Sequence, residues 1–378
     1  VNVGVIGAVV RNTPELVKAS ATEGLEFLDE AQRIRAESER LRRQGIKVQV
    51  VVIHEGANLG ANAIANRPAE PWQGPIIDIV NQLQDTTIDL VFAGHTHRVG
   101  NTVVGRIPVA EGLNAGGSYS KAQLMVRNGD VQWVSASTRI AKNIGVAARA
   151  DVQAIVDQAN LDTEPLREQV IGAQTGDIMR DPARLTESAM GNLVADSMRA
   201  KYPGVEAALT NSGGLRADLL FAPPAGSPQA PGDVTWGEMF AVLPFGNSTV
   251  IMTVTGEQLT AALLNGVSPA CDPGIHSGRF PQVSGLKITY QCNGSVPTIT
   301  ELAKAPDGVG GALTPIGPTD TIRLVTNDFM LTGGDGYTAL TEGTDVLTPG
   351  DALLDVSIEY VTENSPIAPV VDGRITKL

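Results

Sequence analysis

Two β-branched apolar runs that each end in histidine constrain this chain more than any other feature. Val50-Val51-Val52-Ile53 runs into His54-Glu55-Gly56, and Leu90-Val91-Phe92-Ala93 runs into Gly94-His95-Thr96-His97. Between them Pro75-Ile76-Ile77-Asp78-Ile79-Val80 begins a helix, with proline at the first position, where its missing N–H costs nothing. A strand, a helix and a strand in succession form a right-handed parallel unit, so both histidine sites come to one edge of one sheet. Ligand chemistry in such sheets collects just beyond the carboxyl ends of the strands. The chain has four histidines, and His54, His95 and His97 stand at two of those ends. His-x-His directs two imidazoles from one loop toward one place, and Gly94 permits close backbone approach. Imidazole suits zinc and other first-row metals, which makes the three candidate metal ligands. The plainer alternative is a strand-capping His54 and two loop histidines.

The rest of the chain extends this pattern on both sides. Residues 1–10 read as an apolar strand, and Asn12-Thr13-Pro14-Glu15 as a helix start. An amphipathic helix is expected from Gly24 to Arg43, with Leu25, Leu28, Ala31, Ile34 and Leu41 on its apolar side and Gly45 ending it. Strand 47–53 leads into a polar loop containing Asn58, Asn62 and Pro68. Residues 102–135 read as short strands with turns at Asn114-Ala115-Gly116-Gly117 and Asn128-Gly129. A polar helical stretch over about 148–168 separates two differently patterned regions. Beyond it come a helix over Ser188–Ala200, a strand Val205–Leu209, and strands ending near Val254 and spanning Thr321–Thr326. Thr235-Trp236-Gly237-Glu238 and Thr255-Gly256-Glu257-Gln258 both have capping-box spacing.

Composition narrows the function classes. A chain of 378 residues accommodates two domains of ordinary size, and 42% hydrophobic with 18% charged residues is a globular balance. The net charge of −13 argues against a binder of nucleic-acid polymers, which relies on basic surfaces. It leaves room for a small anion at a metal. No apolar run is long enough to span a bilayer. Cys271 and Cys292 bracket a Gly/Pro-rich segment without C-x-x-C spacing. A disulfide in an exported protein is favoured over a pair of thiols or half of a metal site. The chain opens at Val1 already in a strand pattern, with neither initiator Met nor signal peptide, which predicts removal of an upstream segment.

In the second region three Gly-containing turns each present useful side chains. Asn211-Ser212-Gly213-Gly214-Leu215-Arg216 offers Asn211 and Arg216 to a carboxylate, phosphate or ribose hydroxyl. Leu243-Pro244-Phe245-Gly246-Asn247 offers Phe245 beside Asn247, and Phe329 is followed six residues on by Asp335. Aromatic residues make up 4% of the chain, so two phenylalanines on Gly-rich turns are candidates to sandwich a planar base. Asp335 would then accept from a ribose diol. Gly-Gly-Asp-Gly by itself is ordinary turn chemistry, and either ring alone reads more readily as a plug beneath a loop, with Asp335 a turn residue.

Taken together and in this order, His54-Glu55-Gly56-Ala57, Gly94-His95-Thr96-His97, Asn211–Arg216, Leu243–Asn247 and Phe329-Met330-Leu331-Thr332-Gly333-Gly334-Asp335-Gly336-Tyr337 resemble the secreted 5′-nucleotidase family. That family includes UDP-sugar hydrolases and 2′,3′-cyclic-nucleotide phosphodiesterases. The resemblance implies an α/β and α+β architecture. Residues 1–147 would be the C-terminal part of a metallophosphoesterase α/β sandwich, 148–170 a linker helix, and 171–378 a mixed α/β nucleotide-binding domain. It implies two divalent metal ions (Zn, Mn, Co or Fe), His54 and His95 being ligands of one and His97 of the other. Phe245 and Phe329 would stack the base of a nucleotide substrate, Asp335 would bind its ribose, and Arg184, Asn211, Arg216 and Asn247 would hold the remainder. The implied reaction is hydrolysis of a nucleoside monophosphate, with a rotation of the C-terminal domain that carries substrate to the metals. The alternatives are a non-catalytic nucleotide-binding module and the UDP-sugar or cyclic-nucleotide activities. The family's earlier motifs are absent here: Asp-x-His, a metal-bridging Asp, and Asn-His-Glu/Asp carrying a ligand Asn and the catalytic His. No aspartate precedes Asp29 and no histidine precedes His54. The resemblance therefore places the catalytic His upstream of Val1. It implies weak metal binding and little hydrolysis by this chain alone, with nucleotide binding by 171–378 retained.

Overall fold

Valine and isoleucine runs form the strands at the front of the chain, as their branched side chains favour. The computed structural model describes residues 1–16, 22–57, 72–223, 227, 229–272, 275 and 277–378. The chain divides into a unit of Val1–Pro14 with Thr22–Ala147 and a second built on Ala148–Leu378. In the first, β1 (Val3–Val9), α1 (Thr13–Leu16), α2 (Glu30–Arg43), β2 (Val48–His54), α3 (Pro75–Asn81), β3 (Ile88–Ala93), β4 (Gly100–Val104) and β5 (Ile107–Glu111) precede the hairpin of β6 (Ser118–Arg127) and β7 (Asp130–Ile140). The sheet order is β1-β2-β3-β5-β4, with β1, β2, β3 and β5 parallel and β4 antiparallel to β5. Ile34 and Leu41 of α2 and Ile76 and Val80 of α3 pack with Val51, Ile53 and Val91 in its core. The hairpin turns at Asn128-Gly129, where both residues have positive φ, 54° and 83°, the requirement of a tight type I′ connection.

The start of α2 departs from the sequence expectation. It begins at Glu30, with the Asp29 side chain accepting from Gln32 N, while Leu25 and Leu28 are exposed. A local capping bond outweighs an apolar period that has nothing to pack against. Gly45 ends the helix as expected, at φ 79°. The loop containing Asn58, Asn62 and Pro68 lies outside the described residues.

The second unit starts with α4 (Ala150–Arg167), none of whose residues are buried. There follow β8 (Val170–Ala173), α5 (Ala189–Lys201), β9 (Ala207–Asn211), β10 (Asp233–Thr235), α6 (Trp236–Val242), β11 (Thr249–Thr255), α7 (Gly256–Val267), β12 (Pro281–Ser284), β13 (Leu286–Asn293), β14 (Val296–Lys304), β15 (Thr314–Pro315), β16 (Thr321–Asn327), α8 (Asp328–Leu331), β17 (Thr344–Leu347), α9 (Leu353–Glu363) and β18 (Ile375–Lys377). The main sheet has the order β12-β9-β16-β11-β17, and both its faces are covered. Ala208, Val325 and Ile251 face a core shared with α5, α6 and α9. Their strand neighbours Leu209, Leu324 and Met252 face a second core shared with α7. That is the two-residue period of a strand read on both sides. Both capping boxes form, Thr235 with Glu238 and Thr255 with Gln258. Cys271 and Cys292 are joined in a disulfide, tying the segment after α7 to β13.

Candidate functional site

In the first unit the parallel register aligns the carboxyl ends of the strands. Val9 pairs with His54, and Ala93 pairs with Glu111. His95 and His97 follow on a turn in which both have left-handed backbone, φ 70° and 55°, uncommon for residues with a side chain and characteristic of functional turns. His95 Nδ1 lies 3.2 Å from His54 Nε2, with the rings edge to face. Two imidazole nitrogens at ~2.0–2.1 Å from one zinc ion at a tetrahedral angle stand about 3.3 Å apart. The spacing of the pair is that of two positions on a single ion, and also that of a direct hydrogen bond between the rings. His97 lines the same open depression of about 520 Å³, with Val52, Phe92 and Tyr119. Among the described residues no group of three or more His, Cys, Asp or Glu side chains converges on a place for an ion. Two imidazoles meet, and the third borders them.

Two buried carboxyls beneath this edge escaped the sequence reading. The Glu55 carboxyl accepts its neighbour's Gly56 N–H at 2.8 Å, and burial pushes its pKa up to about 7. Glu111 accepts from Ala57 N at 3.1 Å, from Arg98 N at 3.3 Å and from the Thr96 hydroxyl, and burial raises it too. Its carboxyl thus ties the turn after His54 to the His-x-His turn. The packing is close, since a Cβ on Gly56 would collide with Gly94 O, Thr96 Oγ1 and Glu111. The available signal was position: Glu55 directly follows His54, and Glu111 ends a strand at the same edge.

In the second unit β9 and β16 are parallel neighbours, so Asn211 and Asn327 end at one edge, and antiparallel β11 begins there. Asn211 was expected within a turn and is instead the last strand residue, paired with Pro281. Its Nδ2 donates to Asp335 Oδ2 at 2.7 Å. Asp335 is 7% exposed, and burial raises its pKa against the opposing donation from Asn211 and the charges of Arg279 and Arg184. Arg184 sits at φ 56° in a turn built on Asp181, whose carboxylate accepts from Ala183, Leu185 and Thr186 N–H groups. Burial lowers the Arg184 pKa, and repulsion from Arg216 and Arg180 adds to it. Arg216 is lowered by burial and by Arg180 in the same way. Repulsion among these guanidiniums would be relieved by an anion beside them.

Phe245 stands on the loop after α6, whereas Phe329, expected on a turn, lies in the short helix α8, and the two segments are bonded to each other. Asn247 Nδ2 donates to Asp328 Oδ1 at 2.7 Å, and Asp328 N to Ser248 O at 2.9 Å. Phe245 is 55% exposed, with the Arg216 guanidinium 5.5 Å from its ring centre. Phe329 is partly buried against the α7-side core, and a Cβ on Gly334 would fall 2.5 Å from its ring. The structure thus joins Asn211 to Asp335 and the Asn247 loop to α8. Asn327 and Arg180 were missed, Asn327 because a strand-end asparagine has no distinguishing local pattern.

The family model described as 5′-nucleotidase, C-terminal domain, matches residues 170–342. The chain is similar to the cell wall protein Lmo0130 of Listeria monocytogenes, 30% identical over 392 residues covering 99% of this chain and 48% of that protein. It is also similar to the trifunctional nucleotide phosphoesterase protein YfkN of Bacillus subtilis, 33% identical over 233 residues covering 59% of this chain and 15% of that protein. The chain thus spans less than half the length of either relative. Among solved structures, a 5′-nucleotidase precursor from Thermus thermophilus matches with a TM-score of 0.77 at 23% identity, over 100% of this chain and 72% of that one. At that identity the likeness is one of fold.

Proposed function

We propose that this chain, whose residues 170–342 match the C-terminal domain of 5′-nucleotidases, serves metal-dependent hydrolysis of nucleotide phosphoesters, nucleoside monophosphate to nucleoside and phosphate. The single observation that carries this reading is the strand edge of the second unit, where a buried carboxyl, two arginines and two rings, one on a loop and one on α8, come together. Phe245 and Phe329 hold the base, Asp335 accepts from the ribose hydroxyls, and Arg184 and Arg216 take the phosphate charge. Asn247 holds the Phe245 loop to α8 through Asp328. In the first unit, His54 and His95 would hold one ion and His97 would face a second. Bound there, divalent ions supply Lewis acidity toward a phosphoryl oxygen.

A second reading is nucleotide binding without catalysis by this chain alone, supported by the linked polar groups of the second unit, where Asn211 donates to the buried Asp335 and Arg216 lies over the Phe245 ring. UDP-sugars and 2′,3′-cyclic nucleotides offer the same base, ribose and phosphate to the second unit. The disulfide fits an exported or cell-surface setting, and no helix among the described residues is long and apolar enough to cross a membrane.

The test is phosphate release from AMP by the 378-residue chain with Mn²⁺ or Zn²⁺, against an EDTA control, alongside AMP binding by calorimetry. EDTA-sensitive release supports the enzyme reading for this chain. Binding without release supports the binding module. Absence of AMP binding sinks the nucleotide assignment of the second unit.

A further inference from the structure

Asn327, the last residue of β16, is 3% exposed and uses both ends of its amide. Its Oδ1 accepts the Met330 N–H at 2.9 Å, capping the short helix that carries Phe329. A backbone N–H can only donate, so this bond fixes which way the amide faces. Its Nδ2 is thereby turned to Thr210 Oγ1 and Asn211 Oδ1, each at 3.3 Å. Asn211, its oxygen facing that donor, presents Nδ2 to the Asp335 carboxylate at 2.7 Å. A carboxylate only accepts. The polarity of the series is therefore set at both ends by groups that cannot reverse. Among the described residues Asn211 is the one hydrogen-bond donor to that carboxylate.

We propose that Asn327 is a positioning residue of the nucleoside site, seating the Phe329 helix with its oxygen and aiming the Asp335 carboxylate, by way of Asn211, with its nitrogen. The proposal rests on the reading that this edge takes a nucleotide. Asn327 determines specificity for the ribose hydroxyls without touching them. If its nitrogen is replaced by an acceptor, Asn211 must turn its own donor back toward position 327. Its oxygen then faces Asp335, and the carboxylate loses the bond that orients it.

Asn327→Asp, studied at a pH where the new carboxyl is ionised, separates the two roles, because aspartate caps a helix as well as asparagine does and an ionised carboxylate donates nothing. The experiment is calorimetric binding of adenosine and of 2′,3′-dideoxyadenosine to the whole chain, wild type and N327D, with thermal unfolding of both. Hydrogen bonds to a charged group lead us to expect a wild-type preference for adenosine of about tenfold or more. N327D should reduce it to within about twofold while the melting temperature changes little. A variant that keeps the full preference overturns the proposal. Should N327D not fold, Asn327→Ser retains a capping oxygen too short to reach Asn211 and takes its place. If the wild type binds neither nucleoside, the nucleotide reading fails on its own, and proton exchange of the Asn211 side-chain amide decides the positioning. Slow exchange in the wild type that becomes fast in N327D upholds the bond series, and equal exchange overturns it.

Discussion

Asp335 lies in the left-handed region at φ 54°, in a turn where Gly333 and Gly336 also take positive φ, and its carboxyl is buried against Asn211. Burial and ligand binding make opposite demands on it. Burial raises its pKa above the ordinary aspartate value, so on acidification the folded chain takes up this proton before the unfolded chain does. The carboxyl therefore favours the fold as pH falls through that raised value, and the contribution is lost as pH rises through it. A ribose diol, which donates, needs the ionised form. Asp335→Asn is accordingly expected to raise stability at neutral pH, on the order of 1 kcal/mol, while abolishing the preference for adenosine over its dideoxy form. In the wild type that preference should fade as pH drops toward the raised pKa, and in D335N it should be flat. Calorimetry and thermal unfolding at stepped pH check both halves. A variant that binds like the wild type would remove Asp335 from the site. At this scale the sequence displayed Asp335, Phe245, Asn211 and the three histidines, because turn chemistry and strand ends are local patterns. Asn327 and Glu111 stayed hidden, because their partners are distant in sequence: Asn211 lies 116 positions from Asn327, and Ala57 lies 54 from Glu111.

Among the elements, α7 illustrates how far local rules reach. Thr255 Oγ1 accepts the Gln258 N–H at 3.2 Å and Gln258 Oε1 accepts the Thr255 N–H at 2.8 Å. Two further N–H groups of the first turn, Gly256 and Glu257, donate to the carbonyls of Asp320 and Pro318. Thr255→Ala removes one of these partners and leaves the rest, so a loss of about 1 kcal/mol is expected. Urea unfolding should show a lower midpoint at unchanged slope, and an unaltered midpoint would mean the hydroxyl is dispensable. The capping boxes were readable because donor and acceptor are three residues apart. The first turn of α2 was misread for the complementary reason: Leu25 and Leu28 have the right period, but 64% and 43% of their surface stays exposed, and a period without a partner face does not make a helix.

Across the whole molecule the disulfide is a constraint of a different kind, joining positions 21 apart within the second unit. Closing a loop of that length removes unfolded-state freedom equivalent to about 3 kcal/mol. Reduction should lower the unfolding free energy of the second unit by roughly that amount. The first unit holds no cysteine and should unfold alike with and without reductant. Unfolding in urea followed at each unit, with and without dithiothreitol, makes the comparison, and equal losses in both units would count against it.

By itself the sequence determined the strand-helix-strand order that brings His54 and His95 to one edge, the hairpin turn at Asn128-Gly129, the capped helices and the resemblance to 5′-nucleotidases. All of these rest on periods and turns a few residues long. The tertiary structure alone decided which candidates meet. Parallel pairing of β9 with β16 set Asn211 beside Asn327, and packing buried Asp335 and Glu111. The geometry of one edge drew two imidazoles together and left the third beside them. Those outcomes depend on contacts between residues far apart in the chain, whose geometry only the packed sheets and helices fix.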